Sequence, residues 1–407
     1  MNNGSVNEHI AAMADSEIPT ECRLLRSALF GTDFNFAEEC DWSKVYSDLY
    51  SQAVESIPGD YIPKLPLTPE LKAEWRKNCI GRIGNFYRIL QLQNQLTGLL
   101  RKEKIDFVIL KGTAAAMYYP RPQYRAMGDI DFLVAPEHFD RAFELLLANG
   151  FADTDESCER HKNLLKDGVE LEMHKYFTLR GESKELAELD KVIFDGLKNA
   201  EYHEVEDCTF PALPTLQNGL VLLQHLKHHL RRDFGMRQIF DWMLFADKFV
   251  TDEYWEKEFR SYAADAELEL LAINVTRMCQ IYFGLREDIT WCGSADENLC
   301  RQLFEHIYIC GNMGYNRNDR VQKAFDLKGG PSALLKNLQM HGERDWKALK
   351  KHPKLRPFAW LYQLCHHIKS IFRYRITPSR VIKYSQTEAV NIEMYNKLGC
   401  PDDFVGE

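Results

Sequence analysis

The sequence predicts an α+β protein, in which a small mixed sheet with flanking helices lies between a helical N-terminal and a helical C-terminal region. Three observations lead to this fold class. The chain has 407 residues, 45% of them hydrophobic and 12% aromatic, which is enough for a large buried core. Short extended runs rich in apolar and β-branched residues are concentrated between residues 101 and 212. On both sides of that stretch, apolar residues recur every three or four positions, as in amphipathic helices.

The N-terminal region, residues 1–100, is predicted to be a helical cap. The periodic runs "ECRLLRSALF" and "DWSKVYSDLYSQAV" predict two helices. A Pro-rich connector, "IPGDYIPKLPLTPE", separates them from a third, long helix. Pro69 suits the first turn of this helix, because the backbone N–H that proline lacks would have no helical partner there.

Residues 101–212 carry the predicted sheet. "IDFVILKG" predicts a strand that ends at Gly112, "TAAAMYY" a short helix and "DIDFLV" a second strand. A further helix is predicted over "APEHFDRAFELLLANGF". Asp167 and Gly168 lie between two extended runs, which indicates a β-hairpin. The C-terminal region, residues 213–407, is again predicted to be helical, most clearly over "LQNGLVLLQHLKHHLRR" and "MRQIFDWMLFADKFV".

Two acidic residues interrupt the second strand. Because side chains alternate along a strand, Asp129 and Asp131 project from one face and Ile130 and Phe132 from the other. Two carboxylates this close repel each other, and burial raises the pKa of at least one unless a cation neutralises them. Mg²⁺ or Mn²⁺ would do so, since both ions suit carboxylate and phosphate oxygens. The pair therefore predicts a metal site for chemistry on nucleotide phosphates.

The hairpin supplies a third acid. In "VELEMH", Glu170, Glu172 and His174 have the same parity and share one face of a strand. We expect Glu172 to be the remaining metal ligand, and Glu170 is the alternative. His174 is either a substrate contact in the cleft or a polar residue that caps the strand end.

The stretch "LKGTA", which joins the first strand to the short helix, is a candidate phosphate site. Gly112 would let a phosphate approach the backbone, and the amides of a helix N-terminus together with the Thr113 hydroxyl suit anionic oxygens. Lys111 and Arg125 are near enough in sequence to help neutralise a triphosphate. For Arg125, a role as a loop anchor is the alternative.

Together these motifs resemble the nucleotidyltransferase superfamily, whose members share a polymerase-β-like palm. Gly112-Thr113 stands where that group has Gly-Ser, Asp129 and Asp131 form its Asp-x-Asp pair, and Glu172 is its third carboxylate. More narrowly, "LKGTAAAMYYPRPQYRAMGDIDFLV" is similar to the uncharacterised bacterial nucleotidyltransferases with Leu-Lys-Gly and Gly-Asp-Ile-Asp motifs. Thr113 in place of Ser keeps the hydroxyl, and Lys111 stands where the wider superfamily commonly has an apolar residue.

The resemblance implies a metal-dependent enzyme with a sheet of nucleotidyltransferase type. Such an enzyme moves a nucleoside monophosphate group from a nucleoside triphosphate, here expected to be ATP, to a hydroxyl-bearing acceptor and releases pyrophosphate. The resemblance does not name the acceptor, since one fold serves many substrates. The acceptor would lie between the sheet and the C-terminal helices, near His225 and Arg237. His225 and Asp241 would face this cleft and contact substrate, or they are satisfied polar groups of the core.

Histidines of the C-terminal region allow a different interpretation. His225 has the helical spacing to share a face with His228 or His229, which is compatible with zinc or with a metal-dependent hydrolase centre. Asp233 and Asp241 are the candidates for a further ligand. We regard this as the minor alternative.

The net charge and the composition of the chain indicate which classes of partner to expect. The net charge is −9 and the isoelectric point is about 5.9, so the chain lacks the basic excess of a dedicated nucleic-acid-binding protein. We expect a small molecule, a sugar or a protein as acceptor. Eleven scattered cysteines without a C-x-x-C pair, no signal-peptide pattern and no membrane-spanning run indicate a cytoplasmic protein. The alternative function is a non-catalytic, nucleotide-binding regulatory or antitoxin-like partner protein.

Overall fold

The computed structural model describes eight stretches of the chain: residues 18–37, 39–154, 160–178, 183–230, 235–312, 330–350, 352–374 and 391–400. The chain divides into two compact units. The first comprises Met1–Tyr315 with Lys397–Cys400, and the second comprises Asn316–Asn396 with Pro401–Glu407. The boundaries predicted after residues 100 and 212 both fall inside the first unit, and the three-part division stays a prediction.

In the described chain before the sheet lie three α-helices, at the positions that the sequence predicts: α1 (Thr20–Phe30), α2 (Trp42–Ser51) and α3 (Pro69–Lys102). The carboxylate of Asp41 accepts hydrogen bonds from two backbone N–H groups in the first turn of α2. The hydroxyl of Thr68 caps α3 in the same way, and Pro69 opens that helix.

A seven-stranded mixed sheet lies in the first unit, in agreement with the predicted fold class. The sheet order is β3-β4-β5-β2-β1-β7-β6. β2 pairs with β5 and β1 with β7 in parallel, and the other pairs are antiparallel. The strands are β1 (Phe107–Leu110), β2 (Asp129–Val134), β3 (Ala152–Asp153), β4 (His161–Lys166), β5 (Val169–His174), β6 (Glu201–Val205) and β7 (Cys208–Ala212).

Two hairpins of the sheet have short turns that the structure describes, and only one of them was predicted. Asp167 and Gly168 have φ angles of 51° and 72° and join β4 to β5, as their sequence indicates. The second hairpin joins β6 to β7 through Glu206, whose φ is 50°. Its turn contains no glycine or asparagine, so the sequence carries no comparable turn signal there.

A large hydrophobic cluster of the core lies on one face of the sheet. Three helices connect the strands: α4 (Gly112–Ala116), α5 (Phe139–Ala148) and α6 (Lys184–Lys198). Side chains of α3 and α5 pack with apolar side chains of the strands, and burying each large one contributes roughly 1.5–3 kcal/mol. The core includes Phe86, Ile89, Leu96, Ile109, Phe132, Phe139, Leu146, Leu171 and Met173.

After the sheet, the part of the first unit that the structure describes is mainly helical, as predicted. Its helices are α7 (Thr215–Leu230), α8 (Met236–Phe249), α9 (Asp252–Tyr254), α10 (Arg260–Asp265), α11 (Glu269–Phe283) and α12 (Glu297–Cys310), with a π-helical segment, Trp255–Phe259, between α9 and α10. The second unit contains α13 (Gly330–Asp345) and α14 (Ala359–Tyr374). Within the part of the chain that the structure describes, no helix has both the length and the apolar character to cross a membrane.

Candidate functional site

The two strands that carry the predicted acids are neighbours in the sheet. β2 and β5 run in parallel, with Asp129 beside Glu170 and Asp131 beside Glu172. Side chains of paired residues project from the same face of a sheet, whereas Phe132 lies in the core on the other face. The fold therefore gathers acids from two separate sequence motifs on one polar face.

Asp131 is enclosed by two nitrogen donors. The Nζ of Lys111 and the Nε2 of His174 each lie 3.0 Å from Asp131 Oδ1. Burial opposes ionisation of this carboxyl, but the charge of Lys111 and the hydrogen bond from His174 outweigh it and hold the pKa of Asp131 well below its usual range. Asp131 is thus a carboxylate at neutral pH.

His174 connects Asp131 to the third acid. Its Nε2 also lies 3.4 Å from Glu172 Oε2, and this contact lowers the pKa of Glu172 against the effect of burial. One possible ligand atom from each of Asp131, Glu172 and His174 lies within 4.8 Å of the others. Among the described residues, this is the one group of three His, Cys, Asp or Glu side chains with such spacing. Glu170, the alternative third acid, is exposed and lies outside it.

Asp129 shares the polar face but is not a member of that group. Burial and the charge of Asp131 raise the pKa of Asp129 to about 6, although Lys111 and Arg237 act in the opposite direction. The repulsion expected from the Asp-x-Asp spacing therefore raises the pKa of Asp129, whereas the pKa of Asp131 stays low. A cation bound beside both carboxylates would relieve it.

Lys111 reaches Asp131 because the chain leaves strand geometry at this residue. Leu110 pairs with Asp131 and shares its face, so a continued strand would turn Lys111 to the opposite, apolar face. Instead Lys111 has φ 46° and ψ −133°. Such a conformation costs a residue other than glycine on the order of 1–3 kcal/mol. Gly112 follows with φ 32°, where glycine is favoured, and begins α4.

Thr113 does not present its hydroxyl to solvent. The side chain is fully buried, and its Oγ1 donates a hydrogen bond to Gln93 Oε1 of α3 at 2.8 Å. The hydroxyl proton is thus used inside the protein. A contact between Thr113 and phosphate stays a prediction.

Arg125 is held by Asp241 rather than by the acids of the sheet. Its Nε and Nη2 donate to the two oxygens of Asp241 at 2.7 and 2.6 Å, and both side chains are buried. Tyr119 donates a third hydrogen bond to Asp241 Oδ1 at 2.9 Å. Arg125 therefore anchors its loop to α8, which is the alternative role given above. A phosphate contact of Arg125 stays a prediction that this geometry does not favour.

Arg237 and His225 approach the acids from α8 and α7. Arg237 Nη1 donates to the backbone oxygen of Ala126 at 3.1 Å, and its Nε is buried without a hydrogen-bond partner. Burial and the nearby charge of Arg125 lower the pKa of Arg237. Burial, followed by the charge of Lys111, lowers the pKa of His225 well below its usual range, so this imidazole is neutral at pH 7.

The histidines of α7 form a cluster of rings. The rings of His225 and His229 are 4.5 Å apart between centroids, and those of His228 and His229 are 5.4 Å apart. Of the proposed further zinc ligands, Asp241 is bonded to Arg125 and Asp233 lies outside the described residues. The described part of the chain thus offers no support for the zinc alternative.

Sequence reasoning missed Asn163 on β4. Asn163 pairs with Glu172 and so shares the polar face, and its Oδ1 is buried without a hydrogen-bond partner. The signal was available, because the turn at Asp167 and Gly168 fixes the register of the hairpin. Counting back from that turn places Asn163 opposite Glu172.

Comparison with protein-family models identifies the family of the chain. A family model described as an uncharacterised nucleotidyltransferase matches residues 38–284, more than half of the chain. The matched region runs from α2 to α11 and contains the whole sheet and every site residue described above. No curated protein matches the chain.

Proposed function

The chain belongs to the uncharacterised nucleotidyltransferase family, and we propose that it transfers a nucleoside monophosphate group from a nucleoside triphosphate to a hydroxyl-bearing acceptor. Family membership makes the protein a transferase of phosphorus-containing groups. In the proposed reaction the acceptor oxygen bonds to the α-phosphorus, the bond from that phosphorus to the bridging oxygen breaks, and pyrophosphate leaves. The acceptor proton passes to a carboxylate, for which we propose Glu172.

The cluster of Asp131, Glu172 and His174 beside Asp129 is the observation that carries this proposal. Its possible ligand atoms lie within 4.8 Å of one another, and its carboxylates suit a divalent ion such as Mg²⁺ or Mn²⁺. We propose Asp129, Asp131 and Glu172 as the ligands. When bound, the ion would stabilise charge on the phosphates and help to activate the acceptor hydroxyl.

The end of β1 is the proposed triphosphate site. Lys111 supplies positive charge beside Asp131, and Gly112, with φ 32°, has no side chain to hinder the approach of a ligand to the backbone. We propose that Lys111 and the backbone of Gly112 and Thr113 contact the phosphates of ATP. Arg125 would join them only if its pair with Asp241 opened.

We place the acceptor between the polar face of the sheet and helices α7 and α8. A neutral His225 and an Arg237 with a free Nε would offer hydrogen bonds to it. For His174 and Asp241, also considered as substrate contacts, we propose positioning roles, since they bond to Asp131 and Arg125.

The net charge and the cysteines bear on the acceptor and on the cellular location of the proposed reaction. A net charge of −9 favours a small molecule, a sugar or a protein over a long nucleic acid as acceptor. A cytoplasmic location is part of the proposal, because the cysteines are scattered along the chain without a C-x-x-C pair.

Calorimetry of ATP binding with and without Mg²⁺ tests this function. The wild type is compared with Asp129→Asn/Asp131→Asn and with Asp195→Asn, a control on the exposed side of α6 whose carboxylate pairs with Lys198. The same proteins are assayed for pyrophosphate release with metabolite and protein pools.

Magnesium-dependent binding and pyrophosphate release, both lost in the double variant and kept in the control, are the expected result. Metal-dependent binding without release would favour the non-catalytic nucleotide-binding alternative. The absence of ATP binding in the wild type would refute the proposal.

A further inference from the structure

We propose that Lys111 is an internal counter-ion, which pairs with Asp131 as long as no nucleoside triphosphate is bound. As a consequence, the protein would bind its divalent ion tightly only together with the nucleotide. The inference rests on the proposed function. It states which ligands must bind together at that site. It also gives a role to Lys111, which stands where the wider superfamily commonly has an apolar residue.

The ion pair that carries this inference is short and shielded from water. Lys111 Nζ lies 3.0 Å from Asp131 Oδ1, and the two side chains are 14% and 7% exposed. Ion pairs with little solvent exposure are screened weakly by water and salt. The ammonium group thus neutralises the carboxylate that a metal ion would need.

The backbone directs Lys111 to this position. The positive φ of 46° takes its side chain out of strand alternation and towards Asp131. Conformations of this kind persist only where surrounding contacts compensate for them. The contact that we identify here is the ion pair with Asp131.

A metal ion and Lys111 compete for the same carboxylate. Oδ1 of Asp131 already accepts from both Lys111 and His174, and a divalent cation placed beside it would repel the ammonium group. A triphosphate offers the ammonium another partner, and the flexible stem of lysine allows it to move. Metal and nucleotide should therefore strengthen each other's binding by the same factor, about 5- to 150-fold for typical coupled sites.

Manganese binding to the nucleotide-free protein, followed by electron paramagnetic resonance, tests the inference. We compare the wild type with Lys111→Met, which removes the charge, and with Lys111→Arg, which keeps it. Lys162→Met is the matched control, because Lys162 lies on the same sheet but pairs with Met173 of the apolar face and contacts the Phe143 ring. The affinity for a non-hydrolysable ATP analogue is then measured with saturating Mn²⁺.

Lys111→Met should bind Mn²⁺ alone about tenfold more tightly than the wild type, within the usual range of coupling. The same variant should bind the ATP analogue more weakly. Lys111→Arg, which keeps the charge, should change both affinities less than Lys111→Met does, and the Lys162→Met control should behave as the wild type does. Opposite effects on the two ligands would not arise from a purely structural role of Lys111. Unchanged or weaker Mn²⁺ binding by folded Lys111→Met would overturn the inference.

Two further measurements separate the possible failures. Asp131→Asn must lose Mn²⁺ binding with and without nucleotide; if it does not, the proposed metal site itself is wrong. If Lys111→Met does not fold, the inference is tested by measuring analogue binding to the wild type with and without Mn²⁺. A gain of at least about fivefold in analogue affinity on adding Mn²⁺ supports the inference, and equal affinities with and without Mn²⁺ refute it.

Discussion

Arg125 and Asp241 form a bidentate ion pair across 116 residues of sequence, with nitrogen–oxygen distances of 2.7 and 2.6 Å. The pair ties the loop that leads into Asp129 to helix α8. From the other side, Asn85 of α3 donates a hydrogen bond to the backbone oxygen of Met127 in the same loop, at 2.7 Å. The helical regions before and after the sheet thus both fix the entry to the acidic strand.

Removing one partner of this pair should destabilise the protein strongly. Arg125→Met leaves the Asp241 carboxylate buried without its cation, and such a loss costs about 3–5 kcal/mol of unfolding free energy. The double variant Arg125→Met/Asp241→Leu should recover much of that loss, because no buried charge is left unpaired. Urea unfolding of the three proteins measures both effects.

The exposed pair of Arg121 and Asp60 provides the control. Its side chains are 62% and 52% exposed and lie 3.2 Å apart. Arg121→Met should change the unfolding free energy by less than about 1 kcal/mol. Equal losses from Arg121→Met and Arg125→Met would contradict the anchoring role of Arg125.

The features of the site that depend on neighbouring residues in the sequence could be predicted. Alternation placed Asp129 and Asp131 on one face, and the turn at Asp167 placed the hairpin, because both depend on neighbouring residues. The partner of Arg125 could not be predicted, since no local pattern links a loop to a helix 116 residues away. The hairpin at Glu206 was missed because glutamate, the residue with positive φ in that turn, is not among the types that favour such a φ.

Glu172 and Glu170 should respond differently to the same substitution. Glu172 lies within the cluster of possible ligand atoms, whereas Glu170 is exposed. Glu172→Gln should weaken Mg²⁺-dependent ATP binding and lower the rate of pyrophosphate release about 100-fold or more, as expected for a group that acts in proton transfer. Glu170→Gln should leave both within about twofold. Calorimetry and a pyrophosphate assay check this, and the reverse order would make Glu170 the third acid.

Glu55 should make stability depend on pH. Its side chain is fully buried, with Arg82 Nε 2.8 Å from one oxygen and no hydrogen-bond partner for the other. Burial raises the pKa of Glu55, and the charge of Arg82 offsets this only in part. Between the unfolded pKa, about 4.3, and the higher folded pKa, the folded state binds more protons than the unfolded chain. The free energy of unfolding therefore falls as pH rises through that window.

Glu55→Gln tests this dependence, because glutamine has nearly the same shape and does not ionise. The unfolding free energy of the variant, taken relative to that of the wild type, should increase from about pH 4 to about pH 7. Denaturant unfolding at the two pH values gives the comparison. A relative stability that is equal at both, or that decreases, would show that Glu55 does not carry a raised pKa.

Substitution of two helical glycines by alanine should change the free energy of unfolding in opposite directions. A Cβ at Gly219 of α7 would lie 2.6 Å from ring carbons of Phe245 and Phe259, whereas a Cβ at Gly84 of α3 would meet no atom within 4 Å. Gly219→Ala should lose about 1–3 kcal/mol of unfolding free energy, because the packed rings must move. Gly84→Ala should gain roughly 0.5–1 kcal/mol, because alanine restricts the unfolded chain and favours the helix. Thermal and urea unfolding of both variants measure this, and a stabilising Gly219→Ala would mean that α7 and α8 are not packed as closely as described.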